Sequence, residues 1–415
     1  QVGPTSIPQT WDWCSGYHAS DSTVIGFSHT HLSGTGIGDL FDITVMPVVG
    51  EVTYARGEEN DPASGLWSYA DRTREITKPG YYSVPLVRYG ITAEMTATAR
   101  VGLHRYTFPA SDAAAVVFDL ENGGCWDKAT DTGFRFSDDS TRIAGWRCST
   151  GWAKNQEVYF VAEFSKPAKG ISYLQPGEID DSKMPRIAAR YARVDFDTAE
   201  GEQVLVKVAL SPVSIEGAKA NLAAELSGWD FDATAAAADK AWNDELSKVK
   251  IETEDETSKR IFYTALYHTM VAPSLFCDVN GDYRGADGKV HENPGRDTYT
   301  TFSLWDTYRA AMPLMTVLHP ERMPDIIQTM LHIADEQGRL PVWHLWGNET
   351  DCMVGNPGIV AVADAIVKGI GGFDREKAFE TIRKTAMNPD RGNGLRMEYG
   401  YIPCEMFNEA VAYDM

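Results

Sequence analysis

Residues 300–356 read TTFSLWDTYRAAMPLMTVLHPERMPDIIQTMLHIADEQGRLPVWHLWGNETDCMVGN, and this stretch decides how the rest of the chain is read. Its middle, residues 320–337, sets Ile326, Ile327, Met330, Leu331 and Ala334 at three- and four-residue spacing, one apolar face of a helix. Gly338 follows where a left-handed C-terminal cap belongs. The two ends carry chemistry. Trp305 and Asp306 are adjacent with Arg309 one turn on, and Trp343, His344, Trp346, Asn348, Glu349 and Asp351 crowd a run broken by turn residues. A pyranose offers an apolar face to an indole, and its neighbouring hydroxyls donate in pairs to a carboxylate. Trp305 and Asp306 therefore read either as a sugar clamp or as a core indole above an Asp306–Arg309 ion pair. In the second run one of the two Trp is expected in the core, with Asn348, Glu349 and Asp351 as candidate ligand groups.

Helical patterns continue on both sides. Residues 258–270, 358–369 and 374–387 have helical spacing, the last with Asp374 as N-cap, and residues 215–226 and 233–249 are rich in Ala, Glu and Lys. Upstream the period changes. Between residues 24 and 210, segments such as 81–96, 99–108, 157–164 and 203–210 alternate or run apolar, are rich in Val, Tyr, Phe and Thr, and are cut by Gly and Pro. The expected fold is multi-domain, β plus all-α: an antiparallel β-sandwich over 1–212, a helical linker over 213–250, and paired helices with long loops over 251–415, which suggest an α/α toroid. A length of 415 residues suits more than one core.

A formal net charge of -21 argues against nucleic acid or an anionic membrane as partner, since both require a basic surface. No run approaches the roughly 18 apolar residues of a membrane span. The chain starts at Gln1 and stops inside EMFNEAVAYDM, a helical pattern without a stop signal, so a longer parent protein is expected. On that pattern Glu405 and Glu409 share a face. Six Cys without a CxxC pair remove the common zinc and thioredoxin readings, and leave Cys125 and Cys148 either bridged or as buried thiols.

Two loops complete the inventory. HTHLSGTGIGDLFD at residues 29–42 lacks the third Gly and the context of a dinucleotide fingerprint. It reads as turn glycines, or as bare backbone approaching a ligand with His31, Thr35 and Asp39 beside it. DVNGDYRGAD at residues 278–287 places Tyr283 where a calcium loop needs Gly, so it reads as a turn with solvated carboxylates.

FSHTHLSGTGIGDLFDITVMP, FYTALYHTM, YTTFSLWDTYRAAMPL, LPVWHLWGNETDCMVGNPG, ADAIVKGI and TAMNPDRGNGLRMEYGYIPCEMFNEAVAYDM together resemble glycoside hydrolase family 92, the calcium-dependent exo-acting α-mannosidases. The resemblance runs through both domains. It implies a β-sandwich, a helical linker and the first part of an (α/α)6 barrel, with Trp305 and Asp306 lining the terminal-mannose subsite. The loop carrying Thr35, Gly36, Gly38 and Asp39 would reach toward that subsite, and Trp67 would shape the leaving-sugar side. It implies hydrolysis with inversion, with Ca2+ gripping the mannose O2 and O3. The Glu-Gly-Asn-Ala-Trp, Gly-Asn-Glu-Pro-Ser-His-His and Gly-Asn-Asp-Asp types of segment associated with acid, calcium and base do not occur in residues 1–415. The catalytic pair and the Ca2+ ligands are therefore expected beyond Met415, and no metal site within it. The expected partners are α-mannoside glycans, of N-glycans or mannans, and the missing C-terminal half. The expected location is secreted, periplasmic or cell-surface. Two alternatives stay open: a non-catalytic mannose-binding module, and another sandwich-plus-toroid enzyme such as a disaccharide phosphorylase.

Overall fold

The computed structural model describes residues 17–18, 21–32, 39–58, 61, 63–124, 127–176 and 189–407. The chain forms two compact units, one of residues 1–152 with 156–249, the other of residues 153–155 with 250–415.

Among the described residues the first unit is built from two antiparallel sheets. One has eight strands in the spatial order Ile76–Lys78, Tyr81–Leu86, Ile91–Ala97, Val101–Phe108, Glu202–Ser211, Gln156–Phe164, Arg142–Thr150, Lys128–Phe136. The other has four, in the order Gly170–Pro176, Ala189–Thr198, Ser111–Asp119, Thr44–Val49. Alternation decides which side chains meet between the layers. Val204, Val206 and Val208 of one strand are all fully buried. Phe118 of the smaller sheet stacks on Phe160 of the larger at 5.9 Å, and Phe164 meets Phe196 at 5.7 Å. Each such ring contributes about 1.5–3 kcal/mol relative to exposure. The run at residues 81–96 is a hairpin rather than one strand: Leu86 pairs with Ile91, and Gly90 turns the chain at φ +63.

Two helices, Ile215–Glu225 capped by Ser214 and Phe231–Leu246 capped by Asp230, close the first unit. Ile215, Ala218, Leu222 and Phe231 pack with Val101, Leu103, Trp146 and Ala209 of the larger sheet. Each cap hydrogen bond is worth about 1 kcal/mol.

The second unit is helical. Glu256–His268, Ala311–Leu318, Met323–Gln337, Pro357–Val367, Arg375–Ala386 and Asn393–Tyr399 are its principal helices. Ile326, Ile327, Met330 and Leu331 bury the expected face, Gly338 adopts the left-handed cap at φ 91, and Asp374 accepts from the Lys377 N–H. The structure adds short ladders that the sequence did not signal: Ser274–Leu275 with Tyr299–Thr300, Tyr283–Arg284 with Val290–His291, and Phe302–Ser303 with Trp343–Leu345 and Asn348–Glu349. Strands of two or three residues are too short to show a period. Residues 278–287 lead into one of these hairpins, and Asp278 is buried to 3% exposure instead of solvated. Residues 404–407 form a turn where a helix was expected, while Glu409 and the rest of the chain lie outside the described residues, as do Cys14 and Cys125. Among the described residues no helix is long and apolar enough to cross a membrane.

Candidate functional site

In the second unit the two ends of the stretch 300–356 are brought into one small sheet. Ser303 lies opposite Trp343, and His344 pairs with both Phe302 and Glu349. The chain leaves this sheet at Ser303 directly into the single-turn helix Leu304–Thr307, which presents Trp305 half-buried and Asp306 exposed. The Ser303 hydroxyl donates to the Asp306 carboxylate, which fixes its orientation and is the one hydrogen bond the described residues give it. Arg309 does not pair with Asp306. Its guanidinium lies over the Trp305 ring at 5.0 Å and over Tyr308 at 4.8 Å, a cation–π arrangement.

The neighbouring polar residues are engaged in the framework. Glu349 accepts the backbone N–H groups of Val342 and Trp343 at 2.9 Å each and of Asp351 at 3.0 Å, with the Gln337 amide at 3.3 Å. Asp351 accepts from Arg339 and from Arg391, the latter at 2.9 Å. Asn348 accepts the Asn155 N–H at 3.0 Å and donates to the Asn155 carbonyl at 2.9 Å, imitating a strand pair. Trp343 and Trp346 are both buried, at 2% and 9% exposure, so both indoles serve packing where only one was expected to. His344 is buried too, its Nδ1 3.2 Å from the Thr300 hydroxyl, and burial pushes its pKa down to about 3. Burial also raises the Cys352 thiol, and the nearby Asp306 carboxylate adds to the shift.

In the first unit Thr35, Gly36 and Gly38 lie outside the described residues; the flanks of their segment are described. His31 bridges Leu40 and stacks on Phe41 at 5.5 Å. His29 N–H donates to the Asp42 carbonyl at 3.0 Å, and the Asp42 N–H donates to the Thr30 hydroxyl at 2.8 Å. Asp39 is fully buried and accepts from the Trp152 N–H at 3.1 Å. Its other oxygen stands 2.5 Å from where a Cβ on Gly151 would sit. A cavity of about 330 Å³ beside this segment is lined by Tyr17, Phe27, His31, Phe41, Arg56 and Leu66 among others, within the usual range of small-ligand pockets. Trp67 is fully buried, edge-on to Tyr69 at 4.8 Å, with no open ring face.

Sequence reasoning missed two networks. Arg147 and Asp42, both without exposed side chain, form an ion pair that Asp127 joins. His29 and His104 share a hydrogen bond between their Nε2 atoms at 2.9 Å, running from the Ile43 carbonyl at 2.6 Å to the Tyr106 hydroxyl at 2.8 Å. A carbonyl can only accept, so in the neutral pair His29 carries its hydrogen on Nδ1, His104 on Nε2, and Tyr106 donates. The signal for the first was a charged residue inside the apolar strand around Arg147; Asp42, 105 residues from Arg147, carried none.

Eight of the nine non-glycine residues with positive φ among the described residues fall in these two places. They are Leu40, Phe41 and Ile43 in one, and Thr301, Trp346, Asp351, Met353 and Arg391 in the other. Strain of this kind, of order 1–3 kcal/mol per residue, persists where surrounding structure enforces it and gathers at functional sites. Among the described residues no group of three or more His, Cys, Asp or Glu side chains is placed to hold a metal ion.

Comparison with known proteins bears on both units. Residues 1–211 match the glycosyl hydrolase family 92 N-terminal domain and residues 217–415 the family 92 catalytic domain. The structure is similar to the family GH92 α-mannosidase BT3965 of Bacteroides thetaiotaomicron, with TM-score 0.91 and 38% identity over 97% of this chain and 55% of that one. It is also similar to the inverting mannosidase BT2199 of the same organism, with TM-score 0.80 and 27% identity over 96% of this chain and 54% of that one. A curated relative, an uncharacterized secreted glycosidase of Arthroderma benhamiae, is 25% identical over 95% of this chain and 50% of its own length. The chain thus spans about half the length of these relatives.

Proposed function

Because the chain belongs to glycosyl hydrolase family 92, we propose that the protein releases terminal mannose from α-mannosides, such as those of N-glycans or mannans, as an exo-acting enzyme working with inversion. The observation that carries this reading is the pair Trp305 and Asp306. They stand side by side on a one-turn helix, one with an indole face partly open and the other with acceptor capacity unspent, while Asn348, Glu349 and Asp351 are engaged in holding the loop beside them.

On this reading Trp305 covers the apolar face of the sugar and Asp306 accepts two adjacent hydroxyls. Inversion, stated of the BT2199 mannosidase, needs an acid at the leaving oxygen and a base for water roughly 6.5–9.5 Å away. Both are proposed to come from residues outside the 415 of this chain, as are ligands for Ca2+, which would grip a pair of sugar hydroxyls. Thr35, Gly36, Gly38 and Asp39 of the glycine-rich segment are proposed as further substrate-binding residues. A secreted or surface location accords with the secreted relative and with a glycan substrate.

The test is mannose release from α-linked mannosides by the intact protein supplied with calcium, for the wild type and Asp306→Asn. Release by the wild type and its loss in the variant support the reading. Tight mannoside binding without any release would sink it in favour of a binding module, the reading suggested by the engaged carboxylates of the second unit.

A further inference from the structure

Asp42 lies between Phe41 and Ile43, and the backbone on both sides of it is strained. Leu40, Phe41 and Ile43 have φ of 69, 64 and 52, and for a β-branched Ile the left-handed region is a true outlier. Such a conformation reverts unless something holds it, and what holds it meets at the Asp42 carboxylate. One oxygen takes Arg147; the other takes the Thr30 hydroxyl at 2.5 Å and the Gln156 amide. Arg147 in turn donates to Asp127 and to the Leu120 carbonyl at 2.9 Å, which ties the segment to a strand of the eight-stranded sheet.

Stability alone is a poor reason for this arrangement. Two carboxyl groups share one guanidinium here, all at 1% side-chain exposure or less, so the polar cluster is sealed inside the sandwich. Buried ion pairs of this kind are commonly matched or bettered by apolar residues of similar volume, and their best-attested use is to select one conformation. Burial raises the Asp42 carboxyl above its ordinary range, with Arg147 opposing and Asp127 adding to the shift.

We propose that Arg147 is a positioning residue for the run Leu40, Phe41, Asp42 and Ile43, holding Asp42 and its strained neighbours in the one conformation that serves the substrate. This rests on the reading that the adjoining Asp39 binds substrate. Arg147 touches neither sugar nor reacting atoms; it acts through Asp42.

The experiment compares wild type with Arg147→Lys and with the triple variant Arg147→Met, Asp42→Asn, Asp127→Asn, each as the intact protein. Amide exchange is followed across residues 29–32 and 39–43, and KM and kcat are measured on an α-mannoside. The expected result is exchange at least about tenfold faster in those residues, with strands Val101–Phe108 and Glu202–Ser211 unchanged, and a raised KM at similar kcat. Arg147→Lys, which keeps the charge but lacks the planar fork, should fall between wild type and triple variant. A triple variant that melts like wild type and exchanges like wild type in residues 39–43 overturns the proposal. Wild type that binds no mannoside overturns the functional reading instead, and the exchange result then still decides what Arg147 does.

Discussion

The Arg309 guanidinium lies over the indole of Trp305, 5.0 Å from the ring centroid, so a ligand that stacks on Trp305 must use its other face. Trp305→Ala should weaken mannoside binding about tenfold, roughly the 1.4 kcal/mol of one stacked ring, and Trp305→Phe should restore part of it. Calorimetry with a non-hydrolysed mannoside reads this directly. Equal affinity in Trp305→Ala and wild type would remove the indole from the site.

Asp306 is exposed and, among the described residues, receives one hydroxyl. Asp306→Asn keeps the shape and loses the ionised acceptor, worth about 1.5–3 kcal/mol for charged hydrogen bonds. Affinity should fall about 10- to 100-fold while the melting temperature stays within a degree or two. A large loss of stability instead would make Asp306 a structural residue.

Glu349 gathers three backbone N–H groups. Glu349→Ala leaves those donors without their acceptor and should cost about 2–4 kcal/mol by urea titration. Glu349→Gln keeps the oxygen and should cost less. If Glu349→Gln abolished activity at unchanged stability, the residue would belong to the chemistry and not to the frame.

The buried His344 has its pKa pushed down to about 3, against about 6.5 in an unfolded chain. Between those values the unfolded chain binds the proton and the folded one does not, so stability rises with pH across that window and is lost as pH falls from about 6.5 toward 3. His344→Asn keeps an acceptor for the Thr300 hydroxyl and cannot titrate, so its urea midpoint should fall less steeply from pH 6 to pH 4. Parallel curves for variant and wild type would contradict the assignment.

The helix Met323–Gln337 and its Gly338 cap were legible because a 3.6-residue period and a left-handed glycine are local facts. Trp305 and Asp306 were legible because two chemically loud residues adjoin in sequence. The short ladder joining Ser303 to Trp343 was not: it spans forty residues and is two pairs long. Glu349 shows the same limit in another form. Its type suggested a ligand, and only the fold reveals that the N–H groups of Val342 and Trp343 claim it. Arg147 lies in a strand the sequence did not single out, and of its partners Asp42 is 105 residues away while Asp127, 20 residues away, sits just before the start of the adjacent strand.

A Cβ on Gly151 would stand 2.5 Å from an Asp39 carboxylate oxygen and 3.0 Å from the Asp127 Cα, so any side chain there must displace a neighbour. A library randomised at codon 151 and screened for activity should therefore return glycine almost alone, although that residue carries no functional group of its own. Its evolutionary constancy would be a record of where its neighbour sits, and a lineage in which 151 has drifted should be one in which Asp39 has drifted too.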